Sequence, residues 1–203
     1  MLARWSSLNA RVLAGVATPD AIATGVAAAA GVAASLIVVP DARGAAGAGL
    51  ALLMVAIAAI DARRFIIPDE LSAAALALGC VHAALQGSDA VMPALGIAAV
   101  RGAGLAIAFW SLRALYRRVR GQEGLGLGDV KLAGVAGVWL DWATIPVAIE
   151  IAALSALAVC AVRYFRDGRA LRATTKLPFG LFFAPAIWLA WLLGAVLPAA
   201  SLL

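Results

Sequence analysis

EGLGLGDVKLAGVAGVWL, residues 123 to 140, decides the fold of this chain. Its apolar part, Val130 to Leu140, is nearer the length of a re-entrant or buried segment than of a bilayer crossing, which takes about 20 residues. If the segment turned back, every later element would be inverted. Five basic residues, Arg163, Arg166, Arg169, Arg172 and Lys176, would then lie on the opposite side from the other positive clusters, against the tendency of Lys and Arg to remain cytoplasmic. The sequence therefore predicts a true crossing shielded by neighbouring helices.

The rest of the chain supports a membrane setting. Of 203 residues, 65% are hydrophobic and 13% charged, and the mean hydropathy is +1.00. These values lie outside the range of soluble domains. The expected fold is an all-α polytopic membrane protein with about seven transmembrane helices, near 21–39, 45–62, 70–86, 90–116, 129–141, 143–162 and 178–201. They are expected to form a single membrane-embedded domain over 1–203, with its core at about 45–203 and no separate soluble module. Arg4 and Arg11 precede the first run, which is long enough to be a retained helix rather than a cleaved signal. Arg63 and Arg64 follow the second run, and Arg113, Arg117, Arg118 and Arg120 the fourth; the alternate connections, around Asp41 to Arg43, Ser88 to Asp89 and Asp141 to Trp142, carry almost no positive charge. The N-terminus is expected in the cytoplasm and the C-terminus outside.

Composition also narrows the function classes. The formal net charge of +5 sits between hydrophobic runs without aromatic interleaving, so anionic membrane lipid is the expected partner and nucleic acid is not. Cys80 and Cys160 are isolated in apolar runs and support neither a disulfide framework nor a zinc site. The glycines before Asp129 do not spell GxGxxG or a phosphate loop, so no nucleotide is expected. No cofactor and no metal are called for.

Two carboxylates attract attention. Asp129 starts the fifth run, where an N-cap would account for it. Capping does not account for Gly124, Gly126 and Gly128, which permit close approaches that a Cβ would obstruct. Asp61 ends the second run within AIAAIDARRFIIPDEL, where pairing with Arg63 or Arg64 is the simplest account. The topology, however, places Asp61 and Asp129 at one membrane depth. Two neighbouring carboxylates cannot both ionise easily; one can act as base toward water while the other, protonated, polarises a carbonyl. Such a pair suits an aspartic peptidase, and its pKa values would belong to the pair. Asp69, after Pro68, is expected to cap the third helix. Arg101 and Glu150 fall inside predicted spans and are expected to pair, or Arg101 to snorkel. His82 is expected to be a packing residue near the external side. Gly96, Gly102 and Gly104 read as Ala/Gly-rich background. KLPFG, residues 176–180, marks the start of the last helix.

These stretches resemble the GxGD class of membrane aspartyl proteases, and within it the prepilin peptidases, or type IV leader peptidases. AIDARRFIIPDEL resembles the first family motif, GLGDVKLAGVAGVWL the second, GxGDxKL, and PFGLFFAP a third and weaker one. The resemblance implies that Asp61 and Asp129 are catalytic, that Gly126, Gly128, Lys131, Pro178 and Gly180 support the site or substrate, and that the substrate is a prepilin or pseudopilin-like protein. Its leader would be cut at the cytoplasmic face of the inner membrane, for a type IV or Flp-type pilus or a related secretion system. Many relatives also carry a cysteine-paired cytoplasmic insertion and N-methylate the product; the chain resembles the short, peptidase-only forms. Leu181 stands where many relatives have a proline in PFGP. Two other readings use the same carboxylates, a small proton- or cation-coupled transporter and a noncatalytic scaffold. No internal repeat supports the transporter.

Overall fold

The computed structural model describes residues 21–87, 90–121, 124–167 and 178–197, with the side chains of residues 163, 166 and 167 left aside. Among the described residues there are seven helices: α1 (Ala21–Val38), then α2 (Ala42–Arg64), α3 (Asp69–Gln86), α4 (Val91–Arg120), α5 (Leu127–Trp139), α6 (Thr144–Asp167) and α7 (Phe179–Val196). The protein is an all-helical polytopic membrane protein. Five helices, α1, α2, α4, α6 and α7, are long and apolar enough to cross a bilayer. α3 carries Asp69, Glu70, His82 and Gln86, and α5 has only 13 residues, about 20 Å against a hydrocarbon core of about 30 Å. Of the residues used to orient the bundle, Arg4, Arg11, Ser88, Asp89, Arg169, Arg172 and Lys176 lie outside the described residues, as do the side chains of Arg163 and Arg166.

Local chemistry sets the helix ends. α2 starts where the Asp41 carboxylate accepts the backbone N–H groups of Arg43 at 2.7 Å and Gly44 at 3.2 Å, satisfying donors that a first turn leaves free. It stops at Phe65, which takes a left-handed conformation at φ 55°. α4 ends on Gly121 at φ 68°, with Arg117, Arg118 and Arg120 in its last turn, where cations complement the helix dipole. Asp141 and Thr144 exchange side-chain to backbone bonds of 2.8 and 3.1 Å at the start of α6.

α5 does not turn back. It packs against α3, α4 and α7, and eight of its thirteen residues are buried, so its neighbours cover a helix too short to span alone. Lys131 meets Asp69 near the start of α3, whereas Trp139 Nε1 donates to the Ala75 carbonyl at 2.8 Å and meets Gly79 further along. α3 and α5 therefore run side by side in the same direction. Close backbone approach joins α5 to α4: a Cβ at Gly137 would stand 2.5 Å from the Arg101 carbonyl oxygen, and one at Gly102 3.0 Å from that of Gly134. Gly102 is thus a packing position, which corrects the background reading, while Gly96 and Gly104 face open space. α2 and α7 are antiparallel, with Gly47 under the Trp191 indole at one end and Asp61 beside Leu181 at the other.

The main core gathers Leu50, Met54 and Ile57 of α2, Leu132 and Val135 of α5, and Phe183 and Ile187 of α7. Large apolar side chains also point outward, among them Ile97, Val100, Ile107 and Trp110 on α4. A soluble monomer would rarely show such a band, whereas hydrocarbon accommodates it. Cys80 is exposed rather than packed inside, and Cys160 is half-buried.

Candidate active site

One end of the bundle gathers the AIDARRFIIPDEL and GLGDVKL stretches. Asp61, in the last turn of α2, is only 5% exposed. Its Oδ2 accepts the backbone N–H of Leu181 at 3.0 Å, and the N–H of Gly180 also points to it. The carboxylate thus caps the first turn of α7 from another helix, using donors that α7 leaves free. This replaces the expected local pairing with Arg63 or Arg64. Pro178 is the N-cap of α7 and contributes no side-chain bond, so a carboxylate from outside fills the role.

Asp129 is buried in the first turn of α5. It is not the N-cap, as the sequence suggested, but the third helical residue, with Gly126 at the cap position. Its Oδ2 reaches back to accept the Gly126 N–H at 3.1 Å, which is one half of a capping box; a glycine cap has no side chain to supply the other half. Asp129 lies within reach of the charge of Asp61. Both present their carboxyl groups at the start of a helix, where the dipole favours negative charge.

The glycines act through proximity. None of Gly124, Gly126 and Gly128 has a positive φ, so the freedom they offer is space for neighbours. A Cβ on Gly128 would lie 2.9 Å from Ile67 Cβ, and one on Gly180 would lie 2.8 Å from both Asp61 Oδ2 and Ile67 Cδ1. Ile67, 7% exposed, is therefore wedged between the starts of α5 and α7, next to both carboxylates. Sequence reasoning passed over it, although it belongs to the IIPDEL stretch. Gly124 lies against the Tyr116 ring, and Arg113 Nε donates to the Leu125 carbonyl at 3.0 Å, tying the glycine-rich segment to α4.

Lys131 gains a partner that the sequence left open. Its ammonium bonds Asp69 Oδ1 at 2.6 Å, with both side chains substantially exposed. Asp69 consequently does not cap α3; Pro68 occupies that position without a side-chain bond. An exposed pair of this kind adds little stability, but it joins the second helix of one motif to the helix of the other. Beside Asp61, an apolar groove of about 480 Å³ runs between α1, α2 and α7, lined by Ala27, Met54, Ala58, Ala62, Leu181 and Trp188 among others.

The remaining charged residues of the spans lie elsewhere. Arg101 and Glu150 do not pair: Glu150 is exposed on α6, and buried Arg101 Nε has no partner among the described residues. His82 is 2% exposed, stacked on Trp139 at 4.7 Å between ring centroids, and located toward the opposite end of α3 from Asp69.

Comparison with known proteins gives this arrangement a context. A model of the type IV leader peptidase family matches residues 48–161, which include both Asp61 and Asp129. The prepilin leader peptidase/N-methyltransferase of Burkholderia pseudomallei (strain 1026b) is 36% identical over 146 residues, covering 71% of this chain and 45% of the relative. The protein of the same name from Stutzerimonas stutzeri is 35% identical over 96 residues, 47% of this chain and 32% of the relative. The one from Pseudomonas aeruginosa is 36% identical over 90 residues, 43% of this chain and 30% of the relative. The matched part of the chain thus spans less than half the length of these relatives. No solved structure matches the chain.

Proposed function

The chain belongs to the type IV leader peptidase family, and from that premise we propose that it is an aspartic endopeptidase of the inner membrane, removing the leader of a prepilin or pseudopilin-like substrate at the cytoplasmic face. The observation that carries the reading is the meeting of Asp61 and Asp129. Two carboxylates from helices far apart in sequence are buried at one end of the bundle, within electrostatic reach of each other. A purely structural bundle has no need to place like charges together.

The chemistry follows from sharing one proton between them. The ionised carboxylate takes a proton from water as the water oxygen bonds to the scissile carbonyl carbon. The protonated carboxyl gives its proton to the carbonyl oxygen, leaving a tetrahedral gem-diol. In the second step the pair gives its proton to the amide nitrogen, the C–N bond breaks, and a hydroxyl of the gem-diol returns a proton to the pair as the carboxyl product forms. Backbone bonds from Leu181 to Asp61 and from Gly126 to Asp129 each hold one carboxyl oxygen, fixing orientation with little reorganisation. Gly126, Gly128 and Gly180 keep the surroundings of the pair free of Cβ atoms, Pro178 sets the start of α7, and Lys131 braces α5 against α3. The apolar groove beside Asp61 suits the apolar helix that follows the leader.

We carry over only leader removal; N-methylation stays with the relatives so named. The test is co-expression of the full chain with a candidate prepilin, following leader removal by gel shift. Asp61→Asn and Asp129→Asn should each abolish cleavage while the protein still accumulates in the membrane. Cleavage that survives either substitution rules out the paired mechanism.

A further inference from the structure

At the other end of the bundle from Asp61 and Asp129 lies a second cavity, of about 400 Å³. Along α2 it is about 27 Å away, the rise from Arg43 to Asp61. Its walls are the connections at that end: Pro40 and Asp41 before α2, Leu140, Asp141 and Thr144 between α5 and α6, and the end of α7 at Gly194 and Ala195. Between them His82, Gln86 and Arg101 complete the lining. None of these residues has a part in the peptidase chemistry.

The wall carries two cations and two anions, and only one pair is closed. Arg43 and Asp41 are joined twice, at 2.7 and 2.9 Å. The Arg43 guanidinium, together with the backbone bonds to Arg43 and Gly44, holds the Asp41 carboxyl below the usual carboxylate range against the effect of its partial desolvation, so it remains charged and engaged. The other two charges stand apart. Arg101 and Asp141 interact through space but form no ion pair among the described residues. One oxygen of Asp141, Oδ1, is held by Thr144, and the other makes no bond among the described residues. Arg101 cannot lose its proton, and its Nε is buried without a partner.

His82 adds a donor. Trp191 Nε1–H can only donate, and it donates to His82 Nε2 at 3.2 Å; Gln86 Nε2 is also 2.8 Å from that atom. In the neutral imidazole Nε2 is then the acceptor, so the proton sits on Nδ1, which is buried and unpartnered. Orphaned buried donors are rare and costly. Neither atom reaches solvent, and both belong to side chains that line the cavity.

We propose that this cavity binds a zwitterionic head group, with its phosphate oxygens on Arg101 and His82 and its ammonium on Asp141. An unpaired cation and an unpaired anion facing one space call for a molecule carrying both charges, since a simple anion would meet Asp141 and a simple cation Arg101. The connections that form the mouth place it at the level of lipid head groups. Phosphoethanolamine, free or on a phospholipid, has this chemistry, and its primary ammonium carries three N–H donors, of which the free oxygen of Asp141 can accept one.

The test uses the full chain in detergent, with native mass spectrometry after addition of phosphatidylethanolamine, phosphatidylglycerol or diacylglycerol, and thermal stability with soluble phosphoethanolamine. Phosphatidylethanolamine should be retained roughly tenfold better than phosphatidylglycerol, the equivalent of one charged contact of about 1.4 kcal/mol. Arg101→Gln should remove retention of both phospholipids, and Asp141→Asn should erase the preference between them. Arg101→Lys, which keeps the charge but lacks the Nε donor, should retain part of the binding and guards against misfolding of the glutamine variant. Stabilisation by phosphoethanolamine alongside lipid retention shows that the head group suffices; retention without it shows that the acyl chains are needed. Equal retention of phosphatidylethanolamine and phosphatidylglycerol by the wild type, or unchanged retention in Arg101→Gln, overturns the proposal.

Discussion

At the scale of the residue, the two ends of the molecule differ in how their charges are held. Each carboxylate of the Asp61–Asp129 pair takes a bond from the first turn of a helix, so orientation is imposed by backbone rather than by mobile side chains. Gly180 is the most sensitive neighbour, because a methyl there would press within 2.8 Å of Asp61 Oδ2. Gly180→Ala should slow leader cleavage by roughly a hundredfold, the cost of moving a reacting group by about 1 Å. Gly104→Ala is the matched control. Nothing lies within 4 Å of a Cβ at that site, so cleavage should be unchanged and stability raised by about 0.5–1 kcal/mol. Cleavage assays with a thermal-stability series measure both, and equal activity of the two variants would contradict the close approach at Gly180.

At the scale of the element, α5 is the hinge of the whole reading. A helix of 13 residues would leave polar ends in hydrocarbon if it stood alone; among α3, α4 and α7 it does not. Glycines at 102, 134 and 137 let α4 approach it at backbone distance, and the Lys131–Asp69 pair fixes its start against α3. If Lys131 serves as a brace, the exchange Lys131→Asp with Asp69→Lys should recover the cleavage lost in Lys131→Asp. Each neutral single variant, Lys131→Ala or Asp69→Ala, should cost no more than about 1 kcal/mol in stability. Cleavage by the exchanged protein that stays as low as in Lys131→Asp would instead place Lys131 on the substrate.

At the scale of the whole molecule, the proposed cleavage depends on which side of the membrane receives Asp61 and Asp129. The end bearing them also carries Arg63, Arg64, Arg117, Arg118 and Arg120, whereas the opposite end carries the mixed-charge cavity. With Cys80 and Cys160 replaced, single cysteines at Gly121 and Trp142 should report opposite sides. An impermeant maleimide applied to intact spheroplasts should label Trp142→Cys and spare Gly121→Cys until the membrane is opened. The reverse pattern would place the pair outside and exclude cleavage at the cytoplasmic face.

The sequence by itself determined the class of the fold and the identity of the candidate pair. Length and hydropathy of the runs, the spacing of basic residues and the GLGD and IIPDEL stretches are local signals, and each survives translation into one dimension. Only the tertiary structure decided how those residues are held. Asp61 is bonded by Leu181, 120 positions away; Lys131 meets Asp69 across 62; Ile67 fills the gap between Gly128 and Gly180. The partner expectations that failed, capping by Asp69 and Asp129, pairing of Asp61 with Arg63 or Arg64, and a bond between Arg101 and Glu150, all assigned partners from position along the chain or within a span. Buried polar groups take whatever donor or acceptor packing brings to them, and packing is set by helix contacts that no local pattern records.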